Sequence, residues 1–377
     1  MTKLYDVIII GAGPSGTSCA YNIKRLNPDA SVLLLDKAAF PRYKPCGGGV
    51  SPEVANYLDF DLKPAIDSVC DTVIMVANGQ EITGDKYPLW MVRREKFDNY
   101  LLSKAKDKGV EFKLSVEVQD IVTTGELPKV ISTKGEFNAK IVIVAEGGRG
   151  KLAKKLGYAA KNTILAAMEY EHYTTKGNGK LYIDFDYNDS GYAWNFPKSD
   201  GLSLGIGGFV KGQDKGKVGL PQKLLNYTQQ FSVSELDKKN LHGHPILLYS
   251  GRQKLVHSRV MLIGEIAGCV DPLTAEGIRP AIKSGFLAAK VINYALVKND
   301  FKLLVNYDLA FHKEIGSDFY YARIMAYFLN KNLSRVLPML SSKRAVNAFM
   351  SVFSGKSTYR EKISWRRIGK LIWKSIF

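Results

Sequence analysis

Cysteine is scarce in this chain: four of the 377 residues, Cys19, Cys46, Cys70 and Cys269, with no Cys-x-x-Cys pair among them. That spacing excludes a small zinc module and offers no disulfide framework, so the thiols are expected to be reduced. Histidine is nearly as scarce, and the pair in His242-Gly243-His244 has no Cys or His partner nearby. It reads as a plain turn, and no metal is expected. No uncharged apolar stretch approaches the roughly 18 residues of a membrane span, and no internal repeat is visible. The first apolar strand starts at Tyr5, which leaves no room for a secretory leader, so a cytoplasmic location is expected. Acid is also in deficit, with 36 Asp and Glu against 53 Lys and Arg and a net charge of +17. Such a surface attracts anions, whether nucleic acid, an acidic protein or anionic lipid headgroups. No nucleic-acid motif accompanies the charge, so nucleic acid is not an expected partner, and a lysine-rich solvated face accounts for it equally well.

Apolar residues, by contrast, make up 46% of the chain and aromatics 11%, enough for two or three packed domains at this length. The apolar run Tyr5-Asp6-Val7-Ile8-Ile9-Ile10 leads directly into Gly11-Ala12-Gly13-Pro14-Ser15-Gly16, and Asp36 closes the next apolar run, residues 32–35. Strand, Gly-x-Gly-x-x-Gly turn, helix and acid in that order open a dinucleotide-binding βαβ unit. Gly11 allows the tight turn, Gly13 lets a pyrophosphate approach the backbone, and Gly16 lets the helix, about residues 15–26, pack on the strand. Asp36 is placed to hold ribose hydroxyls. The fingerprint alone leaves NAD and FAD both open.

Further along, residues 40–51 form a Pro- and Gly-rich loop, and residues 69–83 read as two short strands around Asn78-Gly79, which is hairpin chemistry. Residues 94–108 have helical spacing and stop at Gly109; strand-like runs follow at 110–114 and 116–123. A buried strand at 141–145 ends on Glu146-Gly147-Gly148. Residues 164–210 alternate and are rich in aromatics, as antiparallel strands are. A late buried strand, 260–264, precedes a helix at 275–297, and everything from Asp300 reads as helical, with breaks near Pro338 and Gly355.

A strand and glycine turn that return some 250 residues after the first fingerprint imply a discontinuous nucleotide domain with the antiparallel sheet inserted. FAD, longer than NAD and bound extended, needs such a second contact. The fold expected is therefore α/β: a discontinuous Rossmann-type FAD domain (1–66, 93–157 and 250–298), an inserted antiparallel sheet for substrate (67–92 and 158–249), and a C-terminal helical region (299–377). Within residues 264–278, Glu265 suits a ribitol or ribose hydroxyl. The amides of Gly277 and Ile278, at a positive helix end, suit the electron-rich pyrimidine edge of a flavin. Loop 40–51 is the most distinctive segment, with three glycines that let backbone pass flush against something flat and a lone thiol, Cys46, at its hinge.

Taken together, the N-terminal fingerprint, loop 43–49, Arg94 with Phe97-Asp98, segment 264–278, and Tyr192-Ala193-Trp194-Asn195-Phe196-Pro197 followed by Gly205-Ile206-Gly207 resemble the geranylgeranyl reductase family, within the para-hydroxybenzoate hydroxylase type of flavoprotein. The resemblance covers about residues 1–300. It implies FAD held at Gly11, Gly13, Ser15, Gly16, Asp36, Cys46, Gly47, Gly49, Arg94, Val118, Glu265, Gly277 and Ile278, with NADPH or ferredoxin as electron donor. Tyr192, Trp194, Phe196 and Pro197, with Gly205 and Gly207, match the pattern held to shape the prenyl cavity. Two departures stand out: Glu265 where the family commonly has Asp, and Glu146-Gly147 where the related hydroxylases have Asp-Gly. Arg93, next to Arg94, reads as an ordinary solvated residue at a helix start.

The implied activity is reduction of C=C bonds in a polyprenyl lipid, hydride coming from the flavin and a proton from the opposite face, with Cys46 and Tyr192 the candidate acids. A monooxygenase or halogenase of the same fold is the alternative, and a flavin-binding protein without turnover the alternative of another class. Because a prenyl chain arrives from a bilayer, the cavity must be as apolar as lipid and open at a membrane surface. Residues 360–374 carry Arg360, Lys362, Arg366, Arg367, Lys370 and Lys374 against the single acid Glu361, with Trp365, Ile368, Leu371, Ile372 and Ile376 gathered towards another face. That pattern fits a peripheral helix on an anionic membrane surface and equally a terminal helix docked on its own protein.

Overall fold

The computed structural model describes residues 3–158, 163–174, 179–188, 190–209, 219–331, 338 and 341–362. Strands Leu4–Ile10 and Val32–Leu35 are continuously apolar and buried over residues 7–10 and 32–35, as parallel strands in the middle of a sheet are. Leu4–Ile10 is central. It pairs in parallel with Val32–Leu35 on one side and with Gly135–Val144 on the other. The late strand Val260–Leu262 joins the far side of Gly135–Val144 in parallel, Val142 opposite Val260, so residues from both ends of the chain build one eight-stranded sheet. Between them runs the antiparallel pair Val118–Val122 and Lys129–Ser132. Helix Pro14–Leu26 lies against helix Ile278–Lys298, with the Ser18 hydroxyl donating to the Ile282 carbonyl at 2.9 Å.

Inserted into this α/β unit is a seven-stranded sheet, in the order Leu241–Leu248, Thr163–Tyr173, Gly201–Phe209, Gly191–Lys198, Leu181–Asp184, Val73–Ala77 and Gln80–Thr83. It is antiparallel except where Leu181–Asp184 meets Val73–Ala77. Asn78 and Gly79, at φ 55° and 69°, make the expected hairpin turn. Helix Leu220–Thr228 covers one face through Leu224 and Tyr227, packed with Ala193, Leu204 and Ile206. The opposite face looks towards loop 46–49 and the C-terminal helices, of which Lys343–Phe353 sets Val346, Met350 and Phe353 in one core cluster with Met75, Ile183, Trp194 and Phe196. A three-stranded sheet, Gly49–Val50, Leu89–Met91 and Ser68–Cys70, links the two larger ones.

Three sequence readings need correction. His242-Gly243-His244 is not a turn: it lies in edge strand Leu241–Leu248, where ladder pairing with Thr163–Tyr173 overrides the weak strand preference of glycine. Arg93 is not solvated; its side chain is 11% exposed and ion-paired with Glu171 at 2.8 Å and with Asp200. The helix expected from Ala275 begins at Ile278, because residues 271–276 form a tight turn with Ala275 at φ 56°. No described helix is long and apolar enough to cross a membrane. Of the basic C-terminal stretch, residues 363–374 lie outside the described residues.

Candidate active site

At the fingerprint turn Gly11 adopts φ +109°, and a Cβ there would come within 2.3 Å of the Ala145 carbonyl oxygen. A Cβ at Gly16 would come within 1.9 Å of the Gly11 carbonyl oxygen. At Gly13 it would meet nothing nearer than Arg42 Nη2, 3.9 Å away. Two glycines thus hold the turn closed, and the third leaves it open. Helix Pro14–Leu26 starts there with no side-chain cap and no acid in its first turn, so its free amides and dipole face the opening. Asp36 accepts hydrogen bonds from the Ala12 and Ala38 amides at 2.7 and 2.8 Å, which fixes its carboxylate at the rim. Val118 starts a strand just beyond Ser115 and Val116, whose amides donate to the Ala38 and Asp36 carbonyls.

Above the turn stand two arginines that share one carboxylate. Arg94 is buried and grips Asp98 through Nε and Nη2 at 2.8 and 2.7 Å. Burial opposes its charge, but Asp98 more than compensates and holds the guanidinium pKa above its ordinary value; the Cys46 thiol lies near the same guanidinium. Arg42 Nη2 meets Asp98 Oδ2 at 3.0 Å, while its Nη1 is buried without a partner. An unsatisfied guanidinium donor beside the open Gly13 is what a pyrophosphate would complete. Arg42, in loop 40–51, carries no sequence cue of its own, since what marks it is the unsatisfied nitrogen.

The second glycine turn closes on the first. A Cβ at Gly264 would come within 2.3 Å of Ser15 Oγ. Next to it, Glu265 accepts from the Leu247 amide at 3.1 Å and lies against Gly148. Gly277 caps helix Ile278–Lys298, again with no acid in the first turn. Asp271 organises the preceding residues by accepting from the Leu273 and Thr274 amides, and its other oxygen accepts the Tyr359 hydroxyl at 2.7 Å. Two uncompensated helix starts, an orphaned arginine donor and the anchored Asp36 together fit the pyrophosphate, ribose and ring of FAD.

Tyr192, Trp194 and Phe196 share a sheet face, as their spacing predicts. The alternation that puts them there turns Pro197 to the opposite face. A Cβ at Gly47 or Gly49 would come within 2.9 Å of the Phe196 ring, and one at Gly205 within 2.0 Å of the Trp194 indole. Gly207 lies under Leu165. The flat surfaces that these glycines admit are therefore aromatic side chains of the second sheet. Tyr192 lines a small apolar cavity with Leu165, Phe185, Phe209, Leu273 and Ala275. Its hydroxyl donates to the Thr274 carbonyl at 2.5 Å, and burial, then the charge of Asp271, push its pKa upwards.

On that face the sequence reading also missed a buried polar group. Glu169 Oε2 accepts from the Cys46 amide at 2.5 Å and Oε1 from the Ser203 hydroxyl at 2.7 Å. Burial, then the charge of Glu171, raise Glu169 to about 7. Lys198, whose pKa burial lowers, donates to the carbonyls of Gly47 at 2.6 Å and Val92 at 3.0 Å. The available signal was Glu169-Tyr170-Glu171, two acids on the inward face of an otherwise apolar strand.

Among known families, the lycopene cyclase protein family model matches residues 6–181. An uncharacterized protein of Methanosarcina barkeri is 30% identical over 300 residues, 78% of this chain and 76% of the relative. The digeranylgeranylglycerophospholipid reductase of Methanococcus aeolicus is 28% identical over 371 residues, 90% and 91% of the two chains. The chain belongs to the geranylgeranyl reductase family. As a geranylgeranyl reductase-family protein it is an FAD-dependent oxidoreductase. The family fold is seen directly in a geranylgeranyl bacteriochlorophyll reductase-like protein from Thermoplasma acidophilum, which superposes with a TM-score of 0.77 at 20% identity over 98% of this chain and 96% of that one.

One departure has a structural role in this family member. The Glu146 carboxylate accepts from the Lys151, Leu152 and Ala153 amides at 2.9, 3.2 and 2.9 Å, capping the short helix Leu152–Lys155. The longer acid reaches a helix end as well as the end of a sheet strand.

Proposed function

We propose that this protein saturates C=C bonds in a polyprenyl lipid of the geranylgeranyl type, using FAD held between its two glycine turns. Gly11, Gly13, Ser15, Gly16 and Arg42 would hold the pyrophosphate and Asp36 the ribose. Val118 would border the cofactor's far end, Arg94, Cys46, Gly47 and Gly49 its ring system, Glu265 the ribitol, and the amides of Gly277 and Ile278 the pyrimidine edge. Residues 1–66, 93–157 and 250–298 are assigned to this unit, 67–92 and 158–249 to the substrate sheet, and 299–377 to the helical region. When bound and reduced, by NADPH or ferredoxin, FAD supplies a hydride.

The observation that carries this reading is the aromatic face of Tyr192, Trp194 and Phe196, turned towards loop 46–49 and residues 271–276 at the start of helix Ile278–Lys298, with a small apolar cavity beside Tyr192. An isoprenoid chain laid along that face would meet apolar side chains rather than water, and Trp194 and Phe196 reach towards the loop of Cys46. An isolated alkene accepts hydride only if a proton reaches its other carbon. Tyr192 is committed to the Thr274 carbonyl, and burial makes its phenol a poorer acid. Cys46, half-buried beside the Arg94 guanidinium, is the better-placed donor.

The relative named digeranylgeranylglycerophospholipid reductase supports a geranylgeranyl lipid as substrate. Anaerobic incubation of the reduced holoenzyme with prenyl lipids, read by mass spectrometry, is expected to show two hydrogens added per reduced double bond. Incorporation of oxygen or halide would instead identify a monooxygenase or halogenase.

A further inference from the structure

Behind loop 46–48 the second sheet presents a buried carboxyl for which cofactor binding has no use. Glu169 is 2% exposed and hydrogen-bonded to the Cys46 amide and the Ser203 hydroxyl. Gly205 stands opposite it in the ladder, and over Gly205 lies Trp194, whose indole Nε1 is buried with no partner. The charged and titratable groups facing Glu169 are Glu171 on its own strand, Lys198 on strand Gly191–Lys198, His242 opposite it on strand Leu241–Leu248, and Tyr43 and Cys46 on the loop. Lys198 spends its ammonium on the Gly47 and Val92 carbonyls, and Arg93 is taken by Glu171. Among the described residues no ion pair reaches Glu169. A carboxyl so placed has two states: neutral, favoured by burial and by Glu171, or ionised, favoured by the Ser203 hydroxyl, the charge of Lys198 and the Cys46 amide.

We propose that Glu169 is a positioning residue that acts through Cys46, storing a proton behind the flavin loop and returning it to the thiol after each turnover. The inference rests on the reductase reading above. Each double bond that accepts a hydride needs one proton. When the Cys46 S–H bond breaks to give it, the electron pair stays on sulfur. The Glu169 O–H bond then breaks, its proton passes to sulfur, and the carboxylate left behind accepts the Cys46 amide and the Ser203 hydroxyl until water restores its proton. Only a proton from solvent is consumed.

Cys46 is the one cysteine of the four that is not buried, so iodoacetamide alkylation of the holoenzyme reports on its thiol without substrate. The wild-type rate is expected to show an inflection near pH 7 set by the protonation of Glu169. In Glu169→Gln that inflection disappears. In Ser203→Ala, which removes a hydrogen bond favouring the carboxylate, it moves to higher pH, and this variant decides the matter if Glu169→Gln does not fold. Profiles that coincide in all three proteins, or that differ by one constant factor at every pH, overturn the proposal. Single-turnover alkene reduction is expected to lose the same inflection in Glu169→Gln. If no prenyl lipid is reduced by the wild type, the reductase reading fails, while the alkylation profiles still decide the coupling between Glu169 and Cys46.

Discussion

Around Cys46 its amide donates to Glu169, its thiol lies near the Arg94 guanidinium, and its neighbour Gly47 packs against the Phe196 ring. Cys46→Ala leaves all but the thiol contact in place. Flavin content is therefore expected to be unchanged while alkene reduction slows by about a hundredfold or more, the usual contribution of a general acid. Full turnover in that variant would remove Cys46 from the chemistry. Glu169 also gives the protein an unusual pH dependence. Its pKa in the fold is raised to about 7 from an ordinary 4.5, so the native state holds this proton more tightly than the unfolded chain. Its contribution to stability is fully present below about pH 4.5 and is lost as pH rises through about 7. Glu169→Gln is expected to flatten that part of the stability profile in chemical denaturation between pH 5 and 8. Gly16→Ala tests the cofactor turn, because its methyl would run into the Gly11 carbonyl and crowd the Ile9 side chain. A cost of about 1–3 kcal/mol and loss of bound FAD are expected, measured by denaturation and flavin absorbance.

Among the elements, Glu146 makes the clearest case. Its three hydrogen bonds to helix Leu152–Lys155 predict that Glu146→Ala costs about 1 kcal/mol, as removal of a helix cap does, with FAD retained. A lowered Tm with unchanged flavin content checks it; loss of flavin would show that Glu146 serves the cofactor instead. The elements that the sequence makes legible are those whose reason is local. Val7–Ile10 and Val32–Leu35 announce buried parallel strands by unbroken apolar runs, and Asn78-Gly79 announces a hairpin by its left-handed backbone. What stays hidden depends on distant partners. Strand Leu241–Leu248 exists because Thr163–Tyr173 pairs with it, so the glycine and histidines of residues 242–244 mislead. Arg93 and Glu171 are 78 positions apart and neither reveals the other, and Glu169 acquires meaning only when loop 46–48 is laid over it. In the site, the glycines and Asp36 were readable from motif spacing. Arg42 was not, since its cue is an unsatisfied nitrogen.

At the scale of the whole molecule, the C-terminal region is tied to residues 271–279, around the start of helix Ile278–Lys298. Tyr359 is buried and donates to Asp271, which shapes residues 271–276; Tyr192 reaches the same segment, and the Arg279 guanidinium bonds to the Val352 carbonyl. Tyr359→Phe leaves a buried carboxylate oxygen without that donor. A cost of about 1–3 kcal/mol is expected, read as a lower Tm. The same contact fixes where the basic tail can be cut. Removal of the residues after Lys362 spares Tyr359, and is expected to weaken sedimentation with anionic liposomes if the tail is the membrane contact. Equal sedimentation with and without the tail would refute that contact. The claim on which all of this depends is that the two glycine turns enclose one FAD bordering an apolar chamber that admits a prenyl chain. It is tested most directly by rapid anaerobic mixing of chemically reduced holoenzyme with a geranylgeranyl lipid while the flavin absorbance is followed. Return of the oxidised flavin band, in proportion to the double bonds lost, is predicted; protein that binds no FAD, or a flavin that stays reduced with every prenyl lipid offered, would contradict it.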